Sequence, residues 1–219
     1  MLNDVFTYLK PYFLYTKGEP IIFTQLYFWG FFAIVLAIYS LVYKKNTLRT
    51  FYLLLVSFFF YYKTSGVFII LLFFTIFSDY NWGRLIYKTE STAKKKMYLV
   101  FSLVLNLTLL CYFKYAYFFT DSINQLAGTD ITFFNHFAQF SNTFLGTKDP
   151  VDKLLLPVGI SFFTFQSISY TVDLYRNKIT PVKSIFDYGF FVCFFPHLVA
   201  GPIVKANEFL YQIYEPYNL

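Results

Sequence analysis

Long apolar runs alternate with short polar segments along this chain. The run from Ile21 to Tyr43 carries no charge and is long enough to cross about 30 Å of hydrocarbon as a helix. Tyr27, Phe28 and Trp29 fall near one end, Tyr43 marks the other, and Lys44, Lys45 and Arg49 follow at once. Phe51 to Tyr62 and Val67 to Phe77 are two shorter runs separated by Lys63, Thr64, Ser65 and Gly66. With their polar flanks they read as two spans, Lys63 snorkelling to the interface; a shallow hairpin dipping into the membrane is the competing reading. Asp79 to Lys96 reads as a polar loop. Met97 to Phe119 is a further span interrupted by Asn106 and Lys114, and Thr120 to Lys153 is the longest polar stretch. Leu154 to Tyr175 is another span, and Ile185 to Val204, broken by Pro196, Gly201 and Pro202, is the last. The pattern predicts an all-α, polytopic transmembrane helical bundle of about six spans, with no domain boundary or repeat within 1–219.

Composition strengthens this reading. Of 219 residues, 57% are hydrophobic and only 14% charged, with 32 Phe and 21 Tyr. An ordinary soluble domain has roughly 25% charged residues, and one with this much Phe and Leu would carry a sticky surface. The net charge of +6 does not point to nucleic acid, because the positive residues sit between apolar runs rather than on a separate basic face. Cys111 and Cys193 both lie in apolar stretches, where they read as small buried hydrophobes. No cleavable signal peptide is evident in the first twenty residues, which mix Asp4, Lys10, Lys17 and Glu19 with aromatics.

The charges also predict orientation. Residues 44–49, 79–96 and 176–184 hold eleven Lys and Arg; the opposite side holds Lys10, Lys17, Lys63, Lys148 and Lys153. Basic segments after alternate spans place those three on the cytoplasmic side and the N-terminus outside.

Polar side chains at membrane depth mark the candidate chemistry, because they are expensive there and face a protein interior or a wet cavity. Lys114 reads either as a snorkelling lysine or as a charge partner in the bundle. In the segment Leu154–Arg176, Gln166, Ser169, Tyr170 and Asp173 recur at helical spacing on one face. Hydrogen bonding between helices and the polar wall of a substrate cavity both account for that face. Asp173 also lies one turn before Arg176, which suits an interfacial ion pair. His197 falls about 15 Å of helix beyond Asp187, near mid-membrane, between Pro196 and the Gly201-Pro202 break. It is a candidate site residue or a satisfied structural histidine. No phosphate loop, paired-cysteine metal motif or nucleophile elbow is present, and no metal is expected.

Several strings carry a resemblance: Tyr112-Phe113-Lys114-Tyr115-Ala116, Asp121-Ser122-Ile123-Asn124, Leu156-Pro157-Val158-Gly159-Ile160-Ser161-Phe162, Gln166-Ser167-Ile168-Ser169-Tyr170, Asp173-Leu174-Tyr175-Arg176 and Phe195-Pro196-His197-Leu198-Val199-Ala200-Gly201-Pro202-Ile203. In these the chain resembles the membrane-bound O-acyltransferases (MBOAT), and within them the alginate O-acetyltransferase type, over roughly residues 50–215. The resemblance implies acyl transfer in the bacterial inner membrane. A cytoplasmic donor, acetyl-CoA, gives its acetyl group to a hydroxyl of an extracytoplasmic polysaccharide, with a secreted or membrane-anchored partner acetyltransferase and no bound cofactor. It also implies a catalytic histidine in a Trp-x-x-Trp-His-like stretch of the later half. His136 and His197 lie in no such stretch, so the resemblance places no catalytic residue in this chain. Residues 1–219 then read as the N-terminal portion of a larger MBOAT-type domain, truncated and inactive alone, with His197, Gln166, Ser169, Tyr170 and Asp173 as candidate site-lining residues. Half of a transporter or flippase, for which broken helices also speak, and a noncatalytic membrane scaffold are the alternatives.

Overall fold

The computed structural model describes residues 14–15, 26–199 and 204–215. Gly201 and Pro202, expected to break the last span, and Ile21, the expected start of the first, lie outside the described residues. Among the described residues the regular structure is helical: α1 (Leu26–Val42), α2 (Asn46–Ser65), α3 (Ile69–Lys88), α4 (Thr92–Leu110), α5 (Ala116–Ala127), α6 (His136–Leu145), α7 (Ile160–Tyr175), α8 (Ile185–Cys193), α9 (Phe195–Val199) and α10 (Ala206–Tyr214). A 3-10 turn (Gly66–Phe68) joins α2 to α3, and a π-helical turn (Cys111–Tyr115) joins α4 to α5. The two continuous helical stretches Asn46–Lys88 and Thr92–Ala127 are long and apolar enough to cross a membrane, and α1 is a shorter apolar helix.

α2 and α3 fold back on each other at Gly66, whose φ of +57° is open to glycine at little strain. The rings of Phe58 and Phe73 meet at 4.7 Å, and Leu54 and Ile76 both approach Gly189. At 20 residues each, α2 and α3 are about 30 Å long, which is span length. The two-span reading therefore holds, but its boundaries move. Both helices absorb the polar flanks that the apolar runs left out.

Lys63 departs from expectation. It does not snorkel: its side chain is buried, and its amine donates to the carbonyl of Leu14. The chain segment at 14–15 covers the α2–α3 turn and supplies the acceptor that water would otherwise provide. The expected polar loop at 79–96 also shrinks, to 89–91 between α3 and α4. Helix geometry is the reason: Arg84 and Lys88 ride on the last turns of α3 and Lys94 to Lys96 on the first turn of α4, so charged residues extend both helices rather than interrupting them. Similarly, the long polar stretch after residue 120 holds the rest of α5 and all of α6. Asn135 caps α6, accepting from the Ala138 N–H at 3.0 Å and donating to the Lys153 carbonyl at 2.7 Å.

α3, α4 and α7 form the tightest part of the bundle. Gly83 makes the α3–α7 approach possible, since a Cβ there would sit 2.6 Å from the Tyr170 ring and 2.8 Å from Leu174. α2 packs along α8, with Gly189 at the contact. The N-termini of α2 and α4 and the C-termini of α3 and α7 share one end of the bundle, which gathers Lys44, Lys45, Arg84, Lys88 and Lys94 to Lys96; we call it the basic end. A band of exposed Leu, Ile, Val and Phe lies around the bundle, including Ile34, Leu55, Phe73, Phe77, Val104 and Leu107. Such a surface suits lipid rather than water.

The last segment is not a single crossing. Ser184 caps α8 at the basic end, accepting from the Asp187 N–H at 3.2 Å. α8 stops at Phe194, whose ψ of 111° breaks the helix, and the Phe194 carbonyl then accepts from the N–H groups of His197 and Leu198 to start α9. Pro196 sits in that first turn, where its missing donor is not needed. α9 reaches the far end of the bundle, with Leu198 against Gly159. α10 then runs back: the Ala206 N–H donates to Ser169 Oγ at 3.3 Å, and the Tyr214 hydroxyl donates to Asp187 at 2.9 Å. Arg49 at the start of α2 donates to the carbonyls of Gln212, Ile213 and Glu215 at 3.3–3.4 Å, closing the C-terminus of α10. Thus α8 starts at the basic end and α10 ends there. Counting apolar residues could not distinguish this re-entrant path from the expected sixth span, because a folded-back hairpin carries the same hydrophobic content.

Candidate functional site

Three regions carry polar chemistry. The first is a cleft of about 510 Å³ between α1, α2, α8 and α10. Arg49, Gln212 and Glu215 line it at the basic end, and Leu53, Phe190, Phe194 and Phe209 line its deeper part. His197 lies beside that deeper part, its ring 5.0 Å from Phe194 and 5.6 Å from Phe209. The ring is half-buried, and its buried Nδ1 has no hydrogen-bond partner among the described residues.

Next is a cleft of about 390 Å³ at the basic end, lined by Tyr80, Arg84, Tyr87, Lys88 and residues Thr180 to Lys183. Three cations and two tyrosines around one concavity suit an anionic, phosphate-bearing group. Tyr214 stands beside it, its hydroxyl accepting from the Lys183 N–H and its ring under the Lys183 amine at 4.5 Å. Burial pushes the Tyr214 phenol up to about 12.

The third region is a polar network inside the bundle. Asp79 on α3 is fully buried. Among the described residues its hydrogen-bond partners are neutral: Ser102 Oγ donates at 2.7 Å and Asn106 Nδ2 at 2.8 and 3.0 Å, and Ser167 also faces the carboxylate. Ser102 reaches Thr171 at 3.3 Å, and the Tyr188 hydroxyl donates to Ser167 at 3.0 Å. Four helices thereby converge on one carboxylate.

The residues singled out from sequence divide among these places. Gln166 is buried on α7, its Oε1 without a partner among the described residues. Ser169 accepts from Ala206, tying α7 to α10. Tyr170 is fully buried, its ring tilted against that of Tyr188 at 4.6 Å, and its hydroxyl accepts from the Val182 N–H at 3.4 Å. Asp173 is buried near the end of α7, where its backbone carbonyl accepts from Lys178. None of these four lines either cleft, whereas His197 flanks the first through its aromatic neighbours. Lys114 is exposed, with its amine 5.4 Å over the Tyr115 ring, and so does not enter the bundle as a charge partner. Asp79 was not among the sequence candidates. The signal for it was the pair Ser102 and Asn106, four residues apart in an otherwise apolar run, which places two polar groups on one helical face that must meet something.

The aligned relatives are consistent in kind. Over 121 residues, 55% of its length, the chain is 38% identical to the probable alginate O-acetylase AlgI of Pseudomonas aeruginosa and covers 21% of that protein. It is 37% identical over 123 residues to the corresponding protein of Azotobacter vinelandii, again covering 21% of it. To the peptidoglycan O-acetyltransferase of Helicobacter pylori it is 31% identical over 157 residues, covering 26% of that protein. The chain thus spans about a fifth to a quarter of the length of the curated relatives it matches. No protein-family model matches the chain, and no solved structure matches it.

Proposed function

We propose, with this chain's kinship to the alginate O-acetylase type of membrane-bound O-acyltransferase as the premise, that it forms the N-terminal membrane wall of an enzyme moving an acetyl group onto a hydroxyl of an extracytoplasmic polysaccharide. The observation that carries the proposal is the 38% identity over 121 residues to a named alginate O-acetylase. The fold supports it in two ways. The basic end, held cytoplasmic by its lysines and arginines with the N-terminus outside, carries a cleft whose three cations suit the phosphates of acetyl-CoA. A second, largely apolar cleft leads from Arg49 toward Phe194 and Phe209 beside His197. This gives a donor arriving from the cytoplasm a path into the bundle.

Attack of a polysaccharide hydroxyl on a thioester needs a base with a pKa near the working pH, and the developing oxyanion needs hydrogen-bond donors. We assign the base to a histidine outside residues 1–219. His197 is assigned to positioning: the Phe194 carbonyl accepts from its backbone N–H at the start of α9, and its ring stands beside the cleft against Phe194 and Phe209. The bilayer, a polysaccharide acceptor and a membrane-anchored or secreted partner acetyltransferase complete the system.

The test is genetic. Deleting the gene in its bacterial host, then restoring it, is predicted to remove and return O-acetyl groups on the surface polysaccharide while polymer yield stays constant. Unchanged acetylation would refute the assignment, and loss of the polymer itself from the cell surface would favour a transporter.

A further inference from the structure

The Asp79 network contains more oxygen than it can pair. Asp79 sits ten residues, about 15 Å, into α3, at mid-helix and fully buried. A carboxylate at that depth is held by a compensating charge or by loss of its own. Among the described residues its hydrogen-bond partners are hydroxyls and an amide, and the phenols of Tyr188 and Tyr170 feel its charge. On the three helices that carry this network, three buried oxygens have no partner among the described residues. Asn106 Oδ1 belongs to the same amide whose nitrogen binds Asp79. Thr75 Oγ1 is one turn earlier on the same face of α3, and Thr164 Oγ1 continues the stripe of Ser167 and Thr171 on α7. Thr75 and Thr164 are fully buried, and Asn106 is 1% exposed. Each of the three helices that meet here contributes one.

Native proteins rarely leave so many buried polar atoms unpaired in one place without an occupant. A proton on Asp79 would remove the charge and supply one donor, leaving at least two of the three oxygens without partners. A water would pair some of them and leave the charge. A small monovalent cation does both at once: it neutralises one carboxylate and takes hard oxygen ligands, replacing its hydration shell as ions do inside membrane proteins. A divalent ion would leave a net positive charge in the bundle. Among the described residues no three His, Cys, Asp or Glu side chains gather as a transition metal would need. We propose that Asp79, Asn106, Thr75 and Thr164 form a sodium site that ties α3, α4 and α7 together. This contrasts with the sequence, which offered no metal motif, and it is independent of the reaction assigned above.

The test is thermal unfolding of the purified protein in detergent, titrated with sodium chloride against choline chloride at constant ionic strength. The unfolding midpoint should rise by several degrees as sodium saturates the site, because a ligand that binds only the folded state stabilises it. Asp79→Asn should abolish the response. Thr75→Val, nearly identical in shape, removes one ligand and should shift the sodium curve to about tenfold higher concentration. This second variant is decisive if Asp79→Asn fails to fold. Without a cation, loss of an unpaired buried hydroxyl would be neutral or stabilising and would leave the sodium curve unmoved. A wild-type midpoint indifferent to sodium would overturn the proposal in favour of a protonated Asp79, and an unchanged response in Asp79→Asn or Thr75→Val would overturn it by placing sodium elsewhere.

Discussion

Gly159 has no room for a side chain. Its φ is +73°, and a Cβ would lie 2.7 Å from the Leu198 carbonyl oxygen, which is backbone and cannot swing aside. Gly159→Ala should therefore destabilise the fold by about 1–3 kcal/mol from backbone strain alone, more once α9 is pushed away, read as a lowered unfolding midpoint in detergent. Gly83→Ala should likewise lower that midpoint, because the overlap at 2.6 Å is with the buried ring of Tyr170. Ser102→Ala removes a donor from a buried carboxylate and should cost about 1–3 kcal/mol by the same assay. Of these positions, Gly159 stood in a string that carried the family resemblance, yet its reason became visible only when α9 was seen against it. Asp79 was misplaced in a loop because its neighbours Asn81, Arg84 and Lys88 are polar. On a helix of 3.6 residues per turn those neighbours point elsewhere while Asp79 points inward, and a one-dimensional hydropathy reading averages over that difference.

Among the elements, α2 and α3 were legible as two crossings, because Gly66 with its polar neighbours gave a turn signal between two apolar runs. The path of 185–214 was not, since the return helix α10 mixes polar and apolar residues and its pairing depends on distant contacts. Arg49 is the most specific of these. Its guanidinium caps the C-terminal carbonyls of α10, and cationic capping there is worth about 0.3–1 kcal/mol when exposed and up to about 2 kcal/mol when partly buried. Arg49→Ala should release α10 from α2 without unfolding the bundle, and limited proteolysis should then cut between residues 204 and 215 while the wild type resists. The re-entrant path makes a separate prediction for labelling. Single cysteines replacing Lys178 and Gln212 should react from the same face of the membrane, and one replacing Lys148 from the opposite face. A sixth full span would instead bring Gln212 and Lys148 to one side.

At the scale of the whole molecule, the structure separates two environments. The basic end carries a cleft lined by Arg84, Lys88 and Lys183; the far end carries α5, α6 and the Asn135-capped loop. Hydropathy anticipated the helical bundle, and the spacing of Lys and Arg the gathering of basic segments at one of its ends, because both depend on sums over many residues. The site was less legible, since one cleft arises where α1, α2, α8 and α10 meet and the other between α3 and residues 180–183, and no single segment announces either. The central claim is that acetyl groups cross this wall from the basic side to a polysaccharide on the other. It is tested most directly in inside-out membrane vesicles from cells that make the intact protein, given radiolabelled acetyl-CoA from outside the vesicle. The account predicts label on polysaccharide enclosed in the vesicle lumen, absent in vesicles from a deletion strain; equal labelling of the lumenal polymer in both would contradict it.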